Sequence, residues 1–136
     1  IKGWLHTGDI GYLDKEGNLF ITDRKDNLII VSGENVYPSE IEQYINLLPE
    51  IYEAIVIGAK HEIKGMELAL IYSLNASSKI NINVWKKILL SNLPIFKIPT
   101  RYVNINELGF KEIPKLPNGK ILRHNVEKAL IDINND

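Results

Sequence analysis

Hydrophobic positions along the chain switch between a helical and a strand period, and the switches mark out the elements. Ile41, Tyr44, Ile45 and Leu48 fall at i, i+3, i+4 and i+7, one apolar helical face. Tyr37-Pro38-Ser39-Glu40 stands just before them. Proline is preset for a first helical turn, and the acids Glu40 and Glu42 suit its positive end. The pattern predicts a helix that begins there and stops at Pro49. Residues 51–58 are apolar and β-branched and predict a strand. In residues 66–74, Leu68, Leu70, Tyr72 and Leu74 alternate onto one face of a second strand. Residues 81–92 return to the helical period, with Val84, Trp85, Ile88 and Leu89 inward. Pro94 and Pro99 break regular structure across residues 93–99, and residues 100–105 predict a short strand. Residues 109–120 have loop composition. A closing helix from Arg123 carries Val126, Ala129, Leu130 and Ile133.

The opening stretch reads differently. Residues 11–23 predict a hairpin turning at Asp14-Lys15-Glu16-Gly17, where Asp tolerates the turn entry and Gly supplies positive φ. Asp23-Arg24-Lys25-Asp26-Asn27 is a dense polar cluster before the apolar run Leu28 to Val31, and it marks the best boundary in the chain. Ser32-Gly33-Glu34-Asn35 is a loop by composition. Strands and helices do not alternate as parallel βαβ units. The expected fold is therefore α+β, a mixed sheet flanked by about three helices. Two units are expected: residues 1–25, which carry the hairpin, and residues 26–136, a small domain with complete apolar faces.

Composition narrows the function classes. At 136 residues and 45% hydrophobic, the chain is long enough to bury a core unaided. Cysteine is absent, which excludes disulfides, thiolate metal sites and a cysteine nucleophile. Sixteen Lys+Arg against seventeen Asp+Glu leave a net charge of -1, without the basic excess of a nucleic-acid binder. No apolar run approaches the ~18 residues of a membrane span. His6, His61 and His124 lack metal-ligand spacing, so no metal site is expected. The chain starts at Ile1 with no leader pattern, which reads as a piece of a longer cytoplasmic protein holding part of an active site.

Three polar clusters carry candidate chemistry. Asp9, after Thr7-Gly8, is a carboxylate behind a glycine turn and suits paired ribose hydroxyls; a solvated turn acid would look the same. Arg24, beside Asp23, Lys25 and Asp26, offers a fork of donors for ribose or phosphate; an exposed charge run would look the same. Lys120 follows Pro117-Asn118-Gly119, a turn that can deliver a point charge onto an anion. It is not a phosphate-binding Walker A loop, because Pro114 and Ile121 occupy the positions that need Gly and Ser or Thr.

Taken in order, these clusters are specific. Gly3-Trp4-Leu5-His6-Thr7-Gly8-Asp9, Asp23-Arg24-Lys25-Asp26, Gly33-Glu34-Asn35-Val36-Tyr37-Pro38-Ser39-Glu40-Ile41-Glu42 and Pro114-Lys115-Leu116-Pro117-Asn118-Gly119-Lys120-Ile121-Leu122-Arg123 follow one another along nearly the whole chain. The series resembles the C-terminal part of the adenylate-forming superfamily: acyl- and aryl-CoA synthetases, peptide-synthetase adenylation domains and luciferase. The resemblance implies an AMP-forming ligase. Such an enzyme activates a carboxylic acid with MgATP as acyl-AMP, then passes the acyl group to CoA or to the pantetheine of an acyl carrier protein.

The resemblance also implies roles. Asp9 and Arg24 would contact the AMP ribose, and Asp26 would be the hinge about which a mobile lid, residues 26–136, turns on its own large N-terminal domain, of which the hairpin in residues 1–25 would be the remnant. Ser32, Gly33 and Glu34 would lie along pantetheine. Lys120 would bridge the acid carboxylate and the α-phosphate as the catalytic cation. ATP and Mg2+ would be held mainly by the N-terminal domain, so the isolated chain is expected to be inactive. Asn35 stands where many relatives carry arginine or glutamine, and residues 108–113 are a few longer than usual before the lysine loop. The competing reading is a non-catalytic α+β module that binds a partner through its lysine loop.

Overall fold

In the computed structural model, which describes residues 3–135, seven strands and three helices follow one another in chain order. They are β1 (Asp9–Leu13), β2 (Leu19–Arg24), β3 (Ile29–Val31), β4 (Glu34–Val36), α1 (Pro38–Ile45), β5 (Ile51–His61), β6 (Gly65–Leu74), α2 (Ile82–Leu90), β7 (Arg101–Asn104) and α3 (Arg123–Asn134). β1 and β2 form one antiparallel hairpin, and β3 and β4 form a second. β6 is the middle of the main sheet, antiparallel to β5 and parallel to β7. The fold is the expected α+β arrangement with a mixed sheet.

The main sheet is covered on both faces, and β6 shows why it is almost wholly apolar. Leu68, Leu70 and Tyr72 join Ala54 and Val56 in one cluster with Ile41 and Ile45 of α1 and Trp85 and Leu89 of α2. The alternate residues Ala69 and Ile71 join Ile55 and Ile57 in a second cluster with Val126 and Leu130 of α3. A two-residue side-chain period places these sets on opposite faces. Trp85 is fully buried, meets Tyr72 edge-on at 5.0 Å and donates from Nε1 to Glu50 Oε1 at 2.9 Å. It is a packing residue with its one polar atom satisfied.

Four expectations change. Ser32-Gly33-Glu34-Asn35 is the turn and returning strand of the β3–β4 hairpin, not a loop. Ser32 and Gly33 have φ of 51° and 82°, the double positive φ of a type I′ turn. α1 ends at Ile45, not at Pro49, because the Asn46 side chain turns to strand β5. Its Nδ2 donates to Glu42 and Ala54 carbonyls, and its Oδ1 accepts from Ala54 N–H at 2.8 Å. Val84 is 44% exposed, because the buried face of α2 is centred on Ile82, Trp85 and Leu89. Ile133 is also exposed, since the second cluster ends one turn earlier at Leu130.

The stretch before the lysine loop acquires a physical account. Ile105–Leu108 is a 3₁₀ turn closed by Gly109 in the left-handed region, φ 86°. Ile105, Leu108 and Ile113 are buried in the second cluster, with Phe110 packed beside them. These residues cover the face of the sheet beside α3 before the chain leaves for the lysine loop.

Candidate functional site

The β1–β2 hairpin builds the first piece. Asp9 and Arg24 are direct partners across the two strands. Arg24 Nη1 donates to Asp9 Oδ1 at 2.7 Å and to the Thr7 carbonyl at 2.6 Å. Gly8 has φ of 78°, and a Cβ there would lie 3.0 Å from Arg24 Nη2. Glycine thus turns the chain and leaves space for the guanidinium. An exposed pair of this kind adds only ~0–1 kcal/mol. Its consequence is orientation: a carboxylate oxygen and a guanidinium edge remain open to solvent side by side.

Asp26 follows in a single 3₁₀ turn, Lys25–Asn27, and is exposed. The neighbouring Asp23 is tied down instead. It accepts from its own neighbour Arg24 N–H at 2.7 Å, from Asn27 Nδ2 at 2.8 Å and from Ser39 N–H at 2.9 Å. Burial pushes its pKa up, but these hydrogen bonds outweigh burial and hold it below its ordinary value. Ser39 lies in the first turn of α1, so Asp23 satisfies a free helical N–H from outside the helix. Ser39 Oγ also donates to the Thr22 carbonyl at 2.6 Å.

Lys120 sits on the returning leg of a small hairpin. Lys115 bridges Ile121, Gly119 N–H donates to the Leu116 carbonyl, and Leu116 N–H donates to the Lys120 carbonyl, both at 2.8 Å. Asn118 Oδ1 accepts from Lys120 N–H at 3.0 Å, and Gly119 has φ of 88°. The asparagine and glycine are what so tight a reversal requires. The Lys120 side chain is exposed, and its Nζ has no hydrogen-bond or ion-pair partner among the described residues.

Tertiary structure brings some of the candidates together. Arg24, Asp26, Lys120 and Arg123 line one groove of about 900 Å³, with Ile30 and Met66 among its apolar residues. Asp9 does not line it, but it accepts from Arg24, which does. Ser32, Gly33 and Glu34 do not line it; they stand exposed at the tip of the β3–β4 hairpin. Among the described residues, nothing beyond its own chain neighbours lies within 4 Å of a Cβ built on Gly33, so positive φ, not crowding, requires glycine there. No group of three or more His, Cys, Asp or Glu that could hold a metal occurs among the described residues. No described helix is long and apolar enough to cross a membrane.

Sequence reasoning passed over Glu42 and Arg123. Arg123 Nη2 donates to Glu42 Oε1 at 2.7 Å and Oε2 at 3.1 Å, and Nη1 donates to the Val56 carbonyl at 3.0 Å. Both side chains are largely covered, 18% and 12% exposed. Burial pushes the Glu42 pKa up, and the Arg123 charge offsets only part of that. One signal was present in the sequence. Arg123 opens α3, where the helix dipole disfavours a cation, so a nearby carboxylate is favoured there.

The chain is similar to known proteins over most of its length. Residues 25–133 match the family model described as AMP-binding enzyme C-terminal domain. The fatty acid–[acyl-carrier-protein] ligase of Streptomyces coeruleorubidus is 39% identical over 90% of this chain and 23% of its own length. The 2-succinylbenzoate–CoA ligase of Listeria innocua is 38% identical over 94% of this chain and 26% of its own. Among solved structures, o-succinylbenzoate CoA synthetase of Bacillus subtilis, in complex with its acyl-adenylate intermediate, superposes with a TM-score of 0.82. It is 32% identical, covering 93% of this chain and 25% of that one. The chain thus spans about a quarter of the length of the curated relatives it matches.

Proposed function

Because the chain belongs to the AMP-binding enzyme C-terminal domain family, we propose that it is the mobile lid of an ATP-dependent acid–thiol ligase. The whole protein joins a carboxylic acid to ATP as acyl-AMP, releasing pyrophosphate. It then transfers the acyl group to a thiol, CoA or the pantetheine of an acyl carrier protein. The observation that carries this reading is the common groove of Arg24, Asp26 and Lys120.

Each residue has work that its chemistry allows. In adenylation a carboxylate oxygen attacks the α-phosphorus and the bond to pyrophosphate breaks. Two anions must approach, and the exposed Lys120 ammonium between them offsets their repulsion and the charge developing at phosphorus. Asp9 accepts from the ribose hydroxyls, and Arg24, held by Asp9, donates beside them. Mg2+, which would neutralise the triphosphate, would be held by the remainder of the protein. After adenylation the lid turns about Asp26, Lys120 withdraws, and the hairpin tip at Ser32, Gly33 and Glu34 borders the path of the thiol arm. The thiol sulfur then attacks the acyl carbonyl, loses its proton, and AMP leaves.

The test uses the full-length protein and assays the two half-reactions separately. Lys120→Ala should slow acyl-AMP formation by roughly 10²–10³, the loss typical of one charge-stabilising donor. Thiolation of synthetic acyl-AMP should be spared. Equal losses in both would overturn the reading. The 136-residue chain alone should release no pyrophosphate above background.

A further inference from the structure

The hairpin that carries Lys120 is small and exposed, with no buried residue between Lys115 and Lys120. Its internal hydrogen bonds close it on itself but do not anchor it to the sheet. Direction comes from its two legs. On the outgoing leg, Lys115 Nζ pairs with Glu53 of β5. On the returning leg, Arg123 grips Glu42 of α1 and the Val56 carbonyl of β5. β5 is an edge strand, so Val56 has backbone groups that no other strand uses. Arg123 takes its carbonyl, and Glu42 Oε1 lies 3.5 Å from its N–H. One ion pair therefore locks α1, the sheet edge and the start of α3 together, three residues after Lys120.

We infer that Glu42 and Arg123 are positioning residues for adenylation, the largely covered fork between them aiming the Lys120 hairpin into the groove. This rests on the reading of Lys120 as the adenylation cation. An arginine fork held by both carboxylate oxygens and a backbone carbonyl permits one orientation, whereas a lysine would permit many. The pair touches neither reactant in this reading. It acts because placement of a catalytic group to within an ångström decides rate.

The experiment compares Glu42→Gln, Arg123→Lys and Lys120→Ala in the full-length protein. Glu42→Gln keeps shape but removes the charge, and Arg123→Lys keeps charge but removes the fork; if one fails to fold, the other gives the reading. Adenylation kcat should fall by up to roughly 10², with KM values and thiolation of synthetic acyl-AMP unchanged. Combining either substitution with Lys120→Ala should be no slower than Lys120→Ala alone, because the pair acts through that lysine. Without any ligand, hydrogen exchange of the Leu116 and Leu122 amides, which close the hairpin, should quicken while β6 amides keep their protection. Losses that multiply with Lys120→Ala, unchanged adenylation, or unchanged exchange at Leu116 and Leu122 would each overturn the inference. Full adenylation by Lys120→Ala would instead overturn the role of the lysine itself, and the inference with it.

Discussion

Arg24 faces Asp9 from the last position of β2 to the first of β1 and donates to its Oδ1 at 2.7 Å. The pair is exposed, so removing it should scarcely affect stability, by under ~1 kcal/mol. It should affect nucleotide binding instead. In the full-length protein, Asp9→Ala should raise the AMP dissociation constant by roughly tenfold, the equivalent of ~1.4 kcal/mol. Arg24→Lys should do nearly as much, because an ammonium cannot reproduce the fork. Calorimetric titration with AMP checks both. Unchanged affinity with an intact fold would remove these residues from the nucleotide site.

Gly33 separates backbone strain from steric obstruction. Its φ of 82° is costly for most side chains, yet open space surrounds its Cβ position. Asparagine tolerates this region better than other residues. Gly33→Asn should therefore keep the β3–β4 hairpin while narrowing the path assigned to the thiol arm. Thiolation should slow, with adenylation near normal. If Gly33→Asn is fully active in thiolation, the arm does not pass the hairpin tip.

Asp23 predicts a pH signature. Its folded pKa lies below the ordinary 3.8. The group therefore stabilises the fold fully above that value, and the stabilisation is lost as pH falls through the folded pKa. Asp23→Asn should cost about 1–2 kcal/mol at neutral pH, the scale of lost charged hydrogen bonds at a half-buried site. The gap between the two proteins, measured by urea unfolding, should close as pH drops below 3.8. A gap constant down to pH 2–3 would mean that the carboxylate charge at Asp23 is irrelevant to stability.

Limited proteolysis tests the proposed division near residue 26. Arg24 and Lys25 are exposed at the start of the 3₁₀ turn. Trypsin should cut there first and leave a resistant remainder, since the main sheet and its two clusters lie wholly beyond it. First cleavage within residues 40–60 or 84–105 would disprove the boundary.

Period and punctuation in the sequence by themselves determine most elements. Leu68, Leu70 and Tyr72 alternated onto a common face, Trp85 and Leu89 lay inward, and Pro38 opened α1. These features are local: side-chain period follows from backbone geometry, and proline acts on its own turn. Asp9, Arg24 and Lys120 were also legible as candidates, because Gly8 and Asn118-Gly119 announce turns that present a charge. Tertiary structure alone decided what those candidates share. Arg24 and Lys120 are far apart in sequence, yet they line one groove because both approach the edge strand β5, whose Val56, Ile57 and Gly58 line it too. It alone decided that Ser32 and Gly33 form a tight hairpin, and that Asn46 ends α1 by turning to the β5 edge. It also paired Arg123 with Glu42, 81 residues away. Such pairings depend on desolvation and free backbone groups at a sheet edge, which exist only once the chain has closed around them.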